Sequence, residues 1–243
     1  MLDFHKLGAT ALIVAVAIAS SLANGAQPAA AAESFLEGID VSYWQGEPRW
    51  LAVKNAGIRY VIARASIANT GRDAEYPRNR TRLRKRGIPF TAYHHAKPDA
   101  TVGDAIAEAN NFVDAARLNG DNLLPVLELK THGDLSVEMF QDWAKAWLAR
   151  VEERLGVKPM IYASAAFWVD RMGNTTWFAD NGYRLWIRHW GVVSPTLPAN
   201  NWGGHGWTLW QYGKAPVSGI RGKVDRDHFN GTVLAPIRIK NNR

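Results

Sequence analysis

The chain has 243 residues, no cysteine and a formal net charge of +7, with 47% hydrophobic and 21% charged residues. That composition excludes an intrinsically disordered chain. The missing thiols exclude a disulfide scaffold, a cysteine nucleophile and thiolate-held metal.

The N-terminus reads as a secretory signal. Lys6 precedes an apolar run over Leu7–Ala19 that only Gly8 and Thr10 interrupt, shorter than the roughly 20 residues of a membrane span. Ser21-Leu22-Ala23 and Ala30-Ala31-Ala32 follow as small-x-small cleavage patterns, and the cut is placed near Ala32. Residues 1–32 are thus predicted to be a signal peptide and residues 33–243 one folded domain, exported and without stable membrane insertion.

Gly38–Val41 is predicted to be a short strand, and Trp50–Ala56 a helix stopped by Gly57. Tyr60–Ser66 is a second strand. A polar loop then leads into a basic helix ending at Gly87, with Arg72, Arg78, Arg80, Arg82, Arg84, Lys85 and Arg86 close together. Such a run is most simply a solvated helix face. On an exported protein Arg78–Arg86 can also attract anionic wall polymers, and export argues against nucleic acid.

Phe90–His95 is the third strand, after which Ile106, Ala109, Phe112, Val113 and Ala116 recur at helical spacing towards a stop at Gly120. Leu124–Lys130 is the fourth strand. Val137, Phe140, Ala144, Trp147, Leu148, Val151 and Leu155 then form one apolar stripe, capped by Ser136 and Gly156. Met160–Ala163 is the fifth strand and Ala165–Arg171 a short helix. Arg184–His189 and Trp207–Tyr212 are strands with no helix between them, and an eighth is placed around Val224. Alternating strands and helices predict parallel pairing through right-handed crossovers. The fold class is α/β: a single irregular, TIM-barrel-like barrel of eight strands, with helices missing after the last three.

The active site of such a barrel lies at the C-terminal strand ends. The residues there are Asp40, Arg64, Tyr93, His94, Glu128, Lys130, Tyr162, His189, Gln211 and Asp225. Alternation puts Glu128 and Lys130 on one face, and desolvating an unpaired charge costs several kcal/mol. His94 and His95 point to opposite faces, one towards the mouth and the other structural. Asp225 and Asp227 flank Arg226, where a structural ion pair is the simpler reading. The sequence contains no H-E-x-x-H, no nucleophile elbow and no glycine-rich phosphate loop, so neither a metal nor a cofactor is expected.

These motifs resemble the glycoside hydrolase family 25 lysozymes, or muramidases, over nearly the whole predicted domain. Gly38-Ile39-Asp40-Val41-Ser42 with Tyr43-Trp44-Gln45-Gly46 matches the family's opening motif. Ala92-Tyr93-His94 with Pro98-Asp99-Ala100, and Lys158-Pro159-Met160-Ile161-Tyr162, match its third and fifth strands. Leu185-Trp186-Ile187, Trp210-Gln211-Tyr212 and Val224-Asp225 match the last three in order. The resemblance implies a peptidoglycan or related amino-sugar glycan as partner, and secretion with possible wall association. It also implies cleavage from N-acetylmuramic acid to N-acetylglucosamine with net retention and no metal. Family members carry a D-x-E motif at the end of strand four, where the Glu is the general acid and the Asp steadies the substrate's acetamido group. Asp40 and Asp225 correspond to further acids of the cleft, and Tyr93, His94, Tyr162, Trp186, Arg188 and Gln211 to substrate-binding positions. Oligomeric state is not implied.

At the D-x-E position this chain reads Glu128-Leu129-Lys130. Strand two continues as Ala65-Ser66-Ile67-Ala68, without the family's carboxylate, and Arg188 stands where the family has Ala. Negative charge is removed from the cleft and positive charge added. A lysine, with an ordinary pKa of about 10.4, is a poor proton donor near neutrality. Two readings stay open. One is an exported muramidase in which Glu128, Asp225 or a water replaces the acid; the other is a catalytically inactive protein that binds wall glycan. A Schiff-base role for Lys130 is opposed by the neighbouring Glu128.

Overall fold

A closed barrel buries both faces of its strands, and the strand segments here are apolar on both. The computed structural model describes residues 35–240; the predicted signal segment lies outside them. The elements are β1 (Leu36–Val41), α1 (Trp50–Asn55), β2 (Tyr60–Ile67), β3 (Gly71–Arg72), α2 (Tyr76–Arg86), β4 (Phe90–His95), α3 (Asp104–Ala116) and β5 (Val126–Glu128). They continue with α4 (Val137–Leu155), β6 (Met160–Ser164), α5 (Ala165–Met172), α6 (Trp177–Asp180), β7 (Arg184–Arg188), α7 (Pro198–Gly203), β8 (Leu209–Pro216) and β9 (Lys223–Phe229).

The sheet runs β1-β9-β8-β7-β6-β5-β4-β2-β3 and closes through pairing of β1 with β2. Eight strands make the barrel, and β3 folds back on the end of β2. Alternation divides the core in two. Inward-facing Tyr60, Ile62, Tyr93, Val126, Met160, Tyr162, Trp186, Leu209 and Phe229 fill the barrel. The outward set, with Ile39, Val61, Ala92, Leu127, Ile161 and Ile187, packs against the surrounding helices. Gly38 is required inside: a Cβ there would stand 2.2 Å from the Tyr60 ring.

Four expectations about the elements themselves are corrected. The eighth strand, β9, is antiparallel to both β8 and β1, because the short connection after Pro216 is too brief for a parallel crossover, which takes a dozen residues or more. Helix α3 stops at Ala116, where Arg117 takes a left-handed conformation (φ 48°), and not at Gly120. Strand β5 ends at Glu128, so Lys130 projects from the following loop. Between β7 and β8 lies the short α7, whose Ala199–Trp202 are left-handed with φ 53° to 54°. Left-handed L-residues cost about 1–2 kcal/mol each. Burial of Trp202 against Trp168 (ring centres 4.7 Å apart) and donation from its Nε1 to the Tyr183 carbonyl (2.7 Å) hold the turn in place.

His94, predicted to meet substrate, instead lies behind the barrel wall. On β4 it faces outward, completely buried, with its ring stacked on Trp147 at 5.4 Å. Its Nδ1 is 2.8 Å from Ser66 Oγ and its Nε2 2.7 Å from Glu108 Oε2 on α3. The Lys97 N–H donates to both Glu108 oxygens, at 3.1 and 3.2 Å. Burial pushes Glu108 up to about 8, while burial and the charge of His95 push His94 down to about 3. Both partners are therefore neutral at pH 7.

Because the Glu108 pKa is raised on folding, its contribution to stability is full below about 4.5 and is lost as pH rises through about 8. Glu108→Gln should keep the hydrogen bonds and flatten the stability profile over that window. Glu108→Ala should cost about 1–3 kcal/mol at the acid end of that window by leaving His94 Nε2 unpaired, and less as pH rises through about 8. Urea unfolding between pH 5 and 9 checks both.

Candidate active site

The last inward position of each barrel strand opens to solvent, and there the polar residues gather. In register, Asp40 on β1 lies opposite Asp225 on β9, His95 opposite Glu128, and Ser164 opposite Arg188, which lies opposite Gln211. The cavity above them holds about 380 Å³ and is lined by Lys130, Tyr162, Arg188, Trp190, Gln211, Lys214 and Asp225, among others.

Gln211 organises the floor. Its Nε2 donates to Asp40 Oδ2 at 2.7 Å. Its Oε1 accepts from the Tyr162 hydroxyl at 3.0 Å and from Trp190 Nε1 at 3.1 Å. Beneath it Trp186 is buried, edge-on to Tyr162 with ring centres 4.6 Å apart. Its Nε1 donates to Asp227 Oδ1 at 2.9 Å. Tyr93 is packed edge-on against Trp186, below the mouth.

Three carboxyl groups share this low-dielectric floor, and their proton affinities rise. Asp40 is pushed up to about 8 by burial and by the charges of Asp225 and Glu128, against the opposing Gln211 hydrogen bond. Burial raises Asp225 against the pull of Lys214. Burial and the neighbouring Asp40 raise Asp227 strongly.

Glu128 behaves oppositely. Burial alone would raise it, but the His95 hydrogen bond and the charges of Lys130 and His95 outweigh that and hold it below its ordinary value of 4.5. One of its oxygens contacts His95 Nδ1 and the other the Lys130 ammonium. That ammonium also lies 5.1 Å from the Tyr162 ring centre. Glu128 is an ionised carboxylate clamped between two nitrogen donors.

Of the predicted ring, the structure brings Asp40, Glu128, Lys130, Tyr162, Arg188, Gln211 and Asp225 together. Trp186 and Tyr93 support it from below. Arg64 is held by Asp73 (Nε–Oδ2 3.0 Å) under the Tyr43 ring. His189 faces away and accepts the Thr196 N–H at 3.0 Å. His94 leaves the ring and His95 takes its place; counting forward by twos from Tyr93 would have chosen it. The same count finds Asp227 from Asp225. Trp190 and Lys214 sit beyond the predicted strand ends and had no such signal. Among the described residues no cluster of three or more His, Asp or Glu is placed to hold a metal ion.

Residues 39–220 match the family model for glycosyl hydrolases family 25. The chain belongs to that family. It is 34% identical to lysozyme M1 of Streptomyces globisporus over 219 residues, covering 86% of this chain and 72% of that one. The solved bacterial lysozyme of Streptomyces coelicolor superposes with a TM-score of 0.77 at 32% identity, covering 84% of this chain and 95% of the other. The N,O-diacetylmuramidase of Arthroderma benhamiae is 28% identical over 230 residues, covering 90% and 93%. Within family 25, then, this chain has the barrel of its solved relatives, with the Lys130 ammonium paired to Glu128 at its mouth.

Lys130 lowers the proton affinity of both Glu128 and Asp40. Lys130→Met should raise both, with Asp40 moving above about 8. Carboxyl ¹³C titration by NMR reads this directly, and unchanged midpoints would mean that the ammonium does not act on the floor.

Proposed function

We propose that this chain is a peptidoglycan-directed member of the lysozyme family that holds wall glycan in its cleft and cleaves it poorly or not at all. The observation that carries the reading is the Lys130 ammonium, paired with Glu128 where the family keeps its general acid. Neither partner offers a proton at the right place: Glu128 is ionised near neutrality, and ammonium is a weak acid. General acid catalysis contributes ~10²–10⁴-fold, and a fixed cation opposes the positive charge that develops at the sugar ring. The glycan class follows from the family and from relatives named lysozyme and muramidase. Tyr162, Gln211 and Trp190, joined by hydrogen bonds, form the polar and aromatic wall that would hold it.

Export by the segment 1–32 and action at the bacterial wall complete the reading. The basic face of α2 suits anionic wall polymers: Arg78 and Arg82 pair with Glu47, while Arg80 and Arg84 make no ion pair among the described residues.

A second reading has one specific observation behind it. Asp40, raised to about 8, keeps a proton at pH 7 and could supply the missing acid from the cleft floor. The two readings separate on clearing of a bacterial cell-wall suspension. Little clearing is expected from the unaltered protein, with partial recovery in Lys130→Glu, since Glu128 and Arg188 also depart from the family pattern. Strong clearing by the unaltered protein, abolished in Asp40→Asn, would establish the second.

A further inference from the structure

The cleft rim carries more positive charge than a neutral sugar chain would use. Arg188, the last inward residue of β7, has its guanidinium carbon 4.4 Å from the centre of the Trp190 ring. The Lys214 ammonium lies 5.4 Å from the same ring. Trp190 is itself fixed by donation to Gln211, so one anchored indole positions two cations. Lys214 reaches Asp225 only at 3.4 Å, and Arg188 makes no ion pair among the described residues. Lys130 is already engaged by Glu128.

We propose that Arg188 and Lys214, mounted on Trp190, form a carboxylate-binding subsite, so that the preferred glycan carries an acid directly on its sugar ring, as in the lactyl ether of a muramoyl unit freed of peptide. This rests on the reading of the cleft as a glycan site and names the glycan it selects. A guanidinium presents a planar fork that matches a carboxylate in two parallel hydrogen bonds. Stacking on the indole orients that fork before ligand arrives, which reduces the ordering cost of binding.

The charge balance agrees. Three cations, Lys130, Arg188 and Lys214, line the cavity. Asp40 and Asp227 favour their protonated forms, leaving only Glu128 and Asp225 to oppose those cations. An incoming carboxylate therefore meets a positive rim. A neutral N-acetylglucosamine chain would leave the Arg188 guanidinium without a partner.

The test is calorimetric titration of the purified full chain with three strands of equal length. They are an N-acetylglucosamine oligomer, a peptide-free glycan strand with free lactyl carboxylates, and the same strand bearing its peptides. The peptide-free acidic strand should bind about tenfold tighter than the neutral oligomer. That gap should close in Arg188→Gln, whose exposed position spares the fold, and shrink as salt is raised. Equal affinity for the neutral and acidic strands would overturn the subsite while leaving the glycan cleft standing. An equal gain from the peptide-bearing strand would move the recognised carboxylate onto the peptide and overturn the ring-attached assignment. Binding of none of the three would overturn the cleft reading itself.

Discussion

A barrel strand alternates its side chains between two cores, and at the open end the last inward position has no further layer to pack against. In this chain that constraint places Asp40, His95, Glu128, Ser164, Arg188, Gln211 and Asp225 around one mouth. Below them Tyr93, Tyr162 and Trp186 close the barrel with aromatic rings, so the polar layer sits on a dry floor. Dryness raises the proton affinity of Asp40, Asp225 and Asp227 together. Gln211 ties the layer into one network by touching Asp40, Tyr162 and Trp190 at once.

Into that floor the sequence introduces a cation. Lys130 leaves the strand at the point where β5 ends and turns back onto Glu128 and the Tyr162 ring. Roles separate among the carboxyls: Lys130 and His95 hold Glu128 as an anion, while burial and the Asp225 and Glu128 charges keep Asp40 as an acid against the pull of Lys130. In a hydrolase of this family the chemistry wants a proton near the leaving oxygen and negative charge near the ring. Here the anion is already engaged by His95 and Lys130, and the proton that Asp40 favours is on a different strand. Binding surfaces do not suffer from this rearrangement, because aromatic walls and amide donors are untouched by it. On the proposed reading, the Glu128–Lys130 pair weakens hydrolysis while Arg188 adds a cation that can hold an acidic glycan.

Much of this architecture is legible in the amino-acid sequence. Helix α4 follows from its apolar stripe with Ser136 and Gly156 at its ends, and Ser136 does accept the Met139 N–H at 3.2 Å. The barrel and most of its mouth follow from strand alternation and from motifs in the order of family 25. What escapes is information that local pattern does not contain. His94 and His95 are identical in type, and which of them faces inward is settled only once the inward face of β4 is fixed by Tyr93: the first meets Glu108 and the second Glu128. The direction of β9 depends on the length of the connection before it. Trp190 and Lys214 reach the cleft from beyond the predicted strand ends, and the left-handed turn at Ala199–Trp202 is held by contacts with Trp168 and Tyr183 that are distant in sequence.

The central claim is that occupancy of the cleft and cleavage have been uncoupled by the Glu128–Lys130 pair. The most direct measurement follows bound protein and newly formed reducing ends in the same suspension of purified peptidoglycan, over a range of protein concentrations at pH 7. The account predicts saturable binding with reducing ends staying at the level of a protein-free control. Reducing ends that accumulate in proportion to bound protein would contradict it.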